Sequence, residues 1–237
     1  MWDFEEGEVL AFDKPLRWTS FDLVAKVRWN LCKKLGRKKL KVGHTGTLDP
    51  LATGVVIICT GKKTKLIDSL QSDVKEYVAT LQLGATTSSY DMEKPVDATY
   101  PTAHITTELV AQTIPQFVGE QWQTPPAFSA IQINGKRAYE FARKGEEVEL
   151  KPRLLVIDEI EVLRFDEQTM QLTIRVVCSK GTYIRALARD IGERLGSGAY
   201  LTALRRTRIG DTRVEDCYTI ERFLEQLNAE IIVPLVG

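Results

Sequence analysis

RLLVIDEIEVLRFDEQTMQLTIRVVC occupies residues 153–178. Residues 153–165 and 170–178 read as two long strands rich in Leu, Ile and Val, joined by FDEQT. Two such runs across a short polar link predict an antiparallel hairpin. Around it, strands and helices interleave irregularly, and hairpins mix with crossovers. The pattern predicts an α+β fold with a mixed, largely antiparallel sheet and flanking helices, not a doubly wound parallel sheet.

Working outward, EVLAFD (8–13) reads as a short strand ending at Lys14-Pro15. Thr19 or Ser20 can cap a helix running to about Leu35, with Phe21, Val24, Val27 and Leu31 on one face. GVVIICT (54–60) reads as a buried strand. Residues 62–70 are expected to be helical, and YVATLQLG (77–84) alternates like a strand. Residues 86–102 read as loop because Pro95 and Pro101 interrupt them. A helix starts at Thr106 or Thr107 and ends near Pro115. Residues 123–131 (QTPPAFSAI) are expected to be extended, since proline disfavours helix in the residue before it. Short helices follow at 138–144, at 183–195 with Gly196 as its stop, and at about 219–228.

The chain has 237 residues, enough to bury a core, and its composition is that of a globular protein. The acidic start MWDFEEGEVL is unlike a signal peptide, and runs such as VVIIC (55–59) are too short to span a bilayer. These features predict a cytoplasmic protein. Cys32, Cys59, Cys178 and Cys217 are scattered without a C-x-x-C pair, which argues against a zinc site or a disulfide framework. Net charge is zero, yet Lys26, Arg28, Lys33, Lys34, Arg37, Lys38, Lys39 and Lys41 precede Asp49 with no acid among them. A second basic cluster runs from Lys180 to Arg213. Such segregation can present a positive face to a polyanion, or simply two solvated helix faces.

Within this surround, KVGHTGTLDPLATG (41–54) carries a lone carboxylate. Gly54 and Gly61-Lys62 suggest a phosphate loop, but the spacing is too long and Lys63 stands where Ser or Thr is needed. No G-x-G-x-x-G follows a strand, and no G-x-S-x-G elbow is present. Asp49 remains, between Leu48 and Pro50, in a loop whose glycines allow close backbone approach. On local pattern it is a reactive carboxylate held by a nearby guanidinium, or an Asx-turn acid.

GHTGTLDPLATGVVIICTGKKTK (43–65) closely resembles the catalytic segment of the bacterial TruB-type tRNA pseudouridine-55 synthases. Further segments are similar to that family in order. They are DKPLRWTSFDLVAKVR (13–28), KEYVATLQLGATTSSYD (75–91), TPPAFSAIQINGKRAYEFARKGEEVE (124–149) and CSKGTYIRALARDIGERLGSGAYLTALRRTRIG (178–210). The resemblance covers about residues 8–225. It implies the pseudouridine synthase fold around a central active-site cleft, as one catalytic domain over 1–237 with a TruB-type insertion at about 86–150. By the same resemblance Asp49 is the catalytic aspartate, Tyr77 stacks on the target base, and Arg185 pairs with the catalytic carboxylate. Leu204 and Tyr183 line the pocket, and His44 fills the space left by the flipped nucleotide. Taken singly, Tyr77 also reads as a half-buried strand residue, Arg185 as a surface helix arginine and Leu204 as core.

The implied reaction isomerises uridine to pseudouridine in the T stem-loop of tRNA, with no metal and no cofactor. Asp49 acts as nucleophile at C1′ or as base at C2′. A non-catalytic tRNA-folding chaperone is the competing reading. Two positions depart from the family: Arg17 and Lys94 stand where glycine is usual, so the first turn is altered or gains a phosphate contact. The C-terminal PUA-type module of many members is expected to be missing, since only a helix and EIIVPLVG follow residue 218. A monomer is expected, as is near-full activity on a T-stem-loop fragment.

Overall fold

The computed structural model of the protein describes residues 2–71, 73–129, 131–133, 135–146 and 149–229. The tail EIIVPLVG lies outside them. In chain order the elements begin with β1 (Val9–Lys14), α1 (Ser20–Leu35), β2 (Val42–His44), β3 (Ala52–Thr60) and α2 (Ile67–Leu70). Then come β4 (Lys75–Leu83), β5 (Ala85–Thr87), β6 (Val96–Thr99), α3 (Thr107–Thr113), β7 (Gly119–Gln123), β8 (Gln132–Ile133), β9 (Lys136–Arg137) and α4 (Ala138–Ala142). The chain continues through β10 (Arg153–Asp166), β11 (Gln171–Cys178), α5 (Ile184–Arg194), β12 (Ala199–Ile209), β13 (Thr212–Arg213) and α6 (Ile220–Ala229). This is an α+β fold whose defined ladders are antiparallel.

Among the described residues two compact units form, one from those up to 75 with those from 205 onward, the other from those between 76 and 204. In the first, β3 pairs with both β1 and β2, and residues 205–209 of β12 carry β13. The β1–β3 register sets Phe12 opposite Val56 and Lys14 opposite Gly54. Phe12 packs edge-on against Phe223 of α6, with ring centroids 5.1 Å apart, and Trp2 and Tyr218 complete the aromatic group.

Helix α1 starts where Thr19 accepts from the Asp22 N–H while the Asp22 carboxylate accepts from the Thr19 N–H, a reciprocal cap. It stops at Gly36, whose φ of 63° suits glycine. Its buried face is Ser20, Leu23, Val24, Val27 and Leu31. Each fully buried Leu or Val contributes about 1.5–3 kcal/mol. Phe21, expected on that face, is instead 66% exposed, and Leu23 takes its place.

The turn before α1 resolves the first departure. Arg17 has φ 67°, the left-handed region in which a side chain is strained. The turn that glycine would make is therefore kept, with arginine in it. Arg17→Gly is expected to stabilise the protein by about 0.5–1 kcal/mol, the relief of strain less the greater freedom of unfolded glycine. Urea-unfolding midpoints of the two proteins check this, and an unchanged or lowered midpoint would contradict it.

In the second unit, β10 and β11 form the expected hairpin, with Phe165 opposite Leu172 and irregularities near residues 158 and 163. The Asp166 carboxylate closes its turn by accepting from the N–H groups of Gln168 and Thr169. Leu172, Ile174 and Val176 alternate into the core with no exposure. Strand β7 pairs with the other edge of β10.

Several expectations need correction. Residues 61–66 are a 3-10 helix, and only 67–70 are α-helical. Within 86–102, β5 and β6 form a small hairpin, in which the Thr86 hydroxyl donates to Asp97 at 2.6 Å. Pro95 stands just before β6, where it withholds no ladder N–H. The extended run from 123 bends at Ala127, where the Ser129 N–H donates to the Ala127 carbonyl. Helix α3, by contrast, ends at Thr113, near Pro115 as expected, and Pro115 sits in the 3-10 turn that follows. The long strand β12 has no counterpart in the sequence reading, because its residues ALRRTR lack alternation.

Candidate active site

In the first unit, β2 ends at His44 and β3 begins at Ala52, so Asp49 lies on the loop between two paired strands. The loop is tied at several points. The Leu48 N–H donates to the Ser20 hydroxyl at 2.8 Å, and that hydroxyl donates back to the Leu48 carbonyl. The Arg17 N–H donates to the Pro50 carbonyl at 2.7 Å, and the Ala52 N–H to the Asp49 carbonyl at 3.0 Å. Asp49 itself is half-buried.

Arg206 is the deepest support. It is 1% exposed, and its Nε donates to the Val55 carbonyl at 2.7 Å. Its Nη1 and Nη2 reach the Thr47 and Gly46 carbonyls at 3.4 and 3.3 Å. One guanidinium thus joins β12, β3 and the Asp49 loop. Close approach of the two strands requires Gly54, whose φ is 110° and where a Cβ would run into the Arg206 backbone.

Lys14 has no exposure, and its ammonium donates to the Trp18 and Pro15 carbonyls at 2.6 and 3.1 Å. Burial lowers its pKa to about 8; the Asp49 carboxylate opposes that shift, and the Arg206 charge adds to it. Burial, then Arg206, also pushes the His44 imidazole below its ordinary range, against the Gly46 backbone. His44 is therefore neutral near pH 7, and its Nδ1 is buried without a hydrogen-bond partner among the described residues.

The lowered Lys14 pKa has a stability consequence. Between about pH 8 and the ordinary 10.5 the unfolded chain binds a proton that the folded chain does not. Stability therefore rises with pH across that window. The difference in unfolding free energy between wild type and Lys14→Met is expected to move in favour of wild type by up to about 3 kcal/mol between pH 7 and 10.5. A difference that stays flat with pH would contradict it.

The second unit carries the remaining candidates. Tyr77 is buried on β4, and Leu204 is half-buried on β12. Tyr183 immediately precedes α5, and its N–H donates to Gln123 Oε1 at 2.9 Å. Arg185, on α5, is only 6% exposed, so it is no surface arginine. It donates to the Phe128 and Ser89 carbonyls at 2.8 and 3.2 Å, and its Nε is 3.8 Å from the Asp91 carboxylate. The Lys94 ammonium lies 5.4 Å from the Phe128 ring centre, and the Lys94 N–H donates to Ser89 Oγ. The second glycine departure thus adds a stacked cation to the loop that holds Arg185.

The structure brings His44 and Asp49 together in the first unit with Lys14 and Arg206; Tyr77, Tyr183, Arg185 and Leu204 belong to the second. Arg206 falls in the second basic cluster, read as a face for a polyanion or for solvent, and its burial rules out both uses. Arg205 is engaged by Asp13 at 2.7 Å, and Arg189 by Asp190 at 2.6 Å and by the Tyr90 ring. No local signal distinguishes Arg206 from Arg205, since burial along β12 does not alternate.

Residues 33–184 match the family model described as TruB family pseudouridylate synthase, N-terminal domain. The chain belongs to the TruB family of pseudouridylate synthases. Residues 185–231 match the model of the tRNA pseudouridylate synthase B C-terminal domain. The chain is 62% identical to tRNA pseudouridine synthase B of Phocaeicola vulgatus over 235 residues, covering 99% of each chain. It is 64% identical to that of Bacteroides thetaiotaomicron over 232 residues, covering 97% of each. Among solved structures, a chain of a Cbf5-Nop10-Gar1 complex superimposes with a TM-score of 0.68 at 30% identity, over 94% of this chain and 54% of that one. An H/ACA ribonucleoprotein bound to a substrate RNA containing 2′-deoxyuridine gives 0.66 at 28%, over 94% and 53%. This TruB-family chain thus spans about half the length of those two structural relatives. Among the described residues, no helix is long and apolar enough to cross a membrane.

Proposed function

We propose that the protein is a cytoplasmic enzyme that isomerises uridine to pseudouridine at position 55, in the T loop of tRNA. The observation that carries this reading is Asp49, a half-buried carboxylate on a loop fixed by Arg206, Ser20 and Arg17, in a chain matched along its length by tRNA pseudouridine synthases B. Fixing a reactive group before substrate arrives is what electrostatic and proximity catalysis require.

In this reading the uridine is flipped out of the T loop and the Asp49 carboxylate acts on its ribose. The N-glycosidic bond breaks, the uracil turns, and carbon 5 forms the new bond to C1′; carbon 5 then loses its proton and N1, freed from the ribose, takes one up. Nothing is added or lost overall. Stacking on Tyr77 offsets part of the cost of flipping, about 1–3 kcal/mol per base. Arg185 holds the catalytic carboxylate, Tyr183 and Leu204 contribute apolar walls, and neutral His44 fills the space the base leaves. A neutral imidazole suits that role, because it can enter the stack without a desolvated charge.

The test is tritium release from a T-arm hairpin labelled at carbon 5 of the target uridine. Release, with pseudouridine at that one position in the product, is the expected result. Tight binding of the hairpin without release from it or from whole tRNA would overturn the reading and leave a tRNA-binding chaperone.

A further inference from the structure

The outward face of α1 has no part in the candidate site, yet it is unusual. Phe21 is 66% and Trp29 59% exposed, two large aromatics in water on one helix. They lie eight residues apart, on the same side of the helix and about 12 Å apart along its axis. Lys26 and Lys33 flank Trp29 at three and four residues' spacing and are exposed, as is Arg17 just before the helix. The Lys33 ammonium stands 5.2 Å from the Trp29 ring centre. Arg17, Lys26 and Lys33 have no carboxylate partner among the described residues, and Asp22, the single acid in α1, is taken up by the Thr19 cap.

The start of this helix adjoins the candidate site. The Arg17 N–H is bonded to the Pro50 carbonyl and Ser20 to Leu48, so the start of α1 is pinned on both sides of Asp49. In the function proposed above, an RNA that presents a uridine to Asp49 comes within reach of the start of this helix. Cations without a carboxylate partner select a polyanion, and aromatics at this spacing select one with flat π faces.

We infer that the outer face of α1 is a second RNA-contact surface, on which unpaired bases of the substrate stack on Phe21 and Trp29 while phosphates meet Arg17, Lys26 and Lys33. The inference rests on the RNA-modifying function proposed above. It adds residues that belong to neither the Asp49 loop nor the second unit.

The experiment compares wild type with Phe21→Leu/Trp29→Leu, Trp29→Leu, Trp29→Phe and Lys26→Gln/Lys33→Gln, using a whole tRNA transcript. Dissociation constants at several salt concentrations are measured alongside kcat and KM. The double leucine variant is expected to bind about tenfold or more weakly and to raise KM with little change in kcat. Its melting temperature should hold, because both side chains are exposed. Trp29→Phe, which keeps a ring, is expected to recover most of the affinity lost at that position. The glutamine variant is expected to flatten the salt dependence by between one and two units of slope. Wild-type affinity in the double leucine variant would overturn the inference, as would equal losses in Trp29→Phe and Trp29→Leu. If wild type turns over and the leucine variant matches it, the inference falls and the proposed function stands. If wild type binds tRNA without turnover and the leucine variant loses that binding, the surface stands and the proposed function falls.

Discussion

Asp49→Asn is expected to lower kcat for pseudouridine formation by roughly 10³-fold or more while leaving the affinity for tRNA within about threefold. The magnitude follows from removing the one group that acts on the ribose, as nucleophile or as base. The amide keeps the shape of the carboxylate, so the loop ties at Leu48, Pro50 and Ala52, which use backbone groups, are preserved. Binding survives because phosphate contacts and stacking supply most of the affinity. Tritium release and filter binding on the same tRNA read the two effects separately. A variant that keeps more than a tenth of the wild-type rate would remove Asp49 from the chemistry. A parallel loss of binding and rate would instead make it a residue that holds the RNA.

Gly54→Ala is expected to be the most damaging change to the fold of the first unit. The position has φ 110°, outside the region open to residues with a side chain, and the new methyl would run into the Arg206 backbone. Strain and overlap together cost about 3–5 kcal/mol, which in a chain of this size lowers the melting temperature by roughly 10 °C. Gly36→Ala is the matched control. Its φ is 63° and a Cβ there meets nothing within 4 Å, so only the backbone penalty of about 1 kcal/mol applies. Loss of the β3–β12 approach also displaces the Arg206 guanidinium from the Gly46 and Thr47 carbonyls. The surviving folded fraction should therefore show a lower kcat than Gly36→Ala. Equal melting temperatures for the two variants would mean that the strands can separate without cost.

Legibility differed from element to element for physical reasons. The β10–β11 hairpin and α1 were readable because their signals are local. Alternating aliphatics mark the first, and the Thr19 cap with the Gly36 stop marks the second. The Phe21 error came from a helical wheel whose apolar arc is wider than the face actually covered. Periodicity reports amphipathicity and cannot say which edge of the arc a neighbour reaches. Strand β12 went unread because ALRRTR has no period of two, and its partners rather than its own pattern hold it in the sheet.

By itself the sequence determined the α+β class, the positions of most helices and long strands, and the loop around Asp49 with its resemblance to one family. These depend on interactions between residues close in the chain, or on a motif long enough to be specific. Only the tertiary structure decided what each cation is for. Arg206, Arg205 and Arg185 look alike in sequence, yet one is buried against three carbonyls, one pairs with Asp13, and one is enclosed beside Asp91. Lys14, Lys26 and Lys33 differ in the same way, the first without exposure and with a pKa near 8, the others out in solvent. A charge acquires its role from burial and from partners distant in the chain, and those are set only when the strands pair.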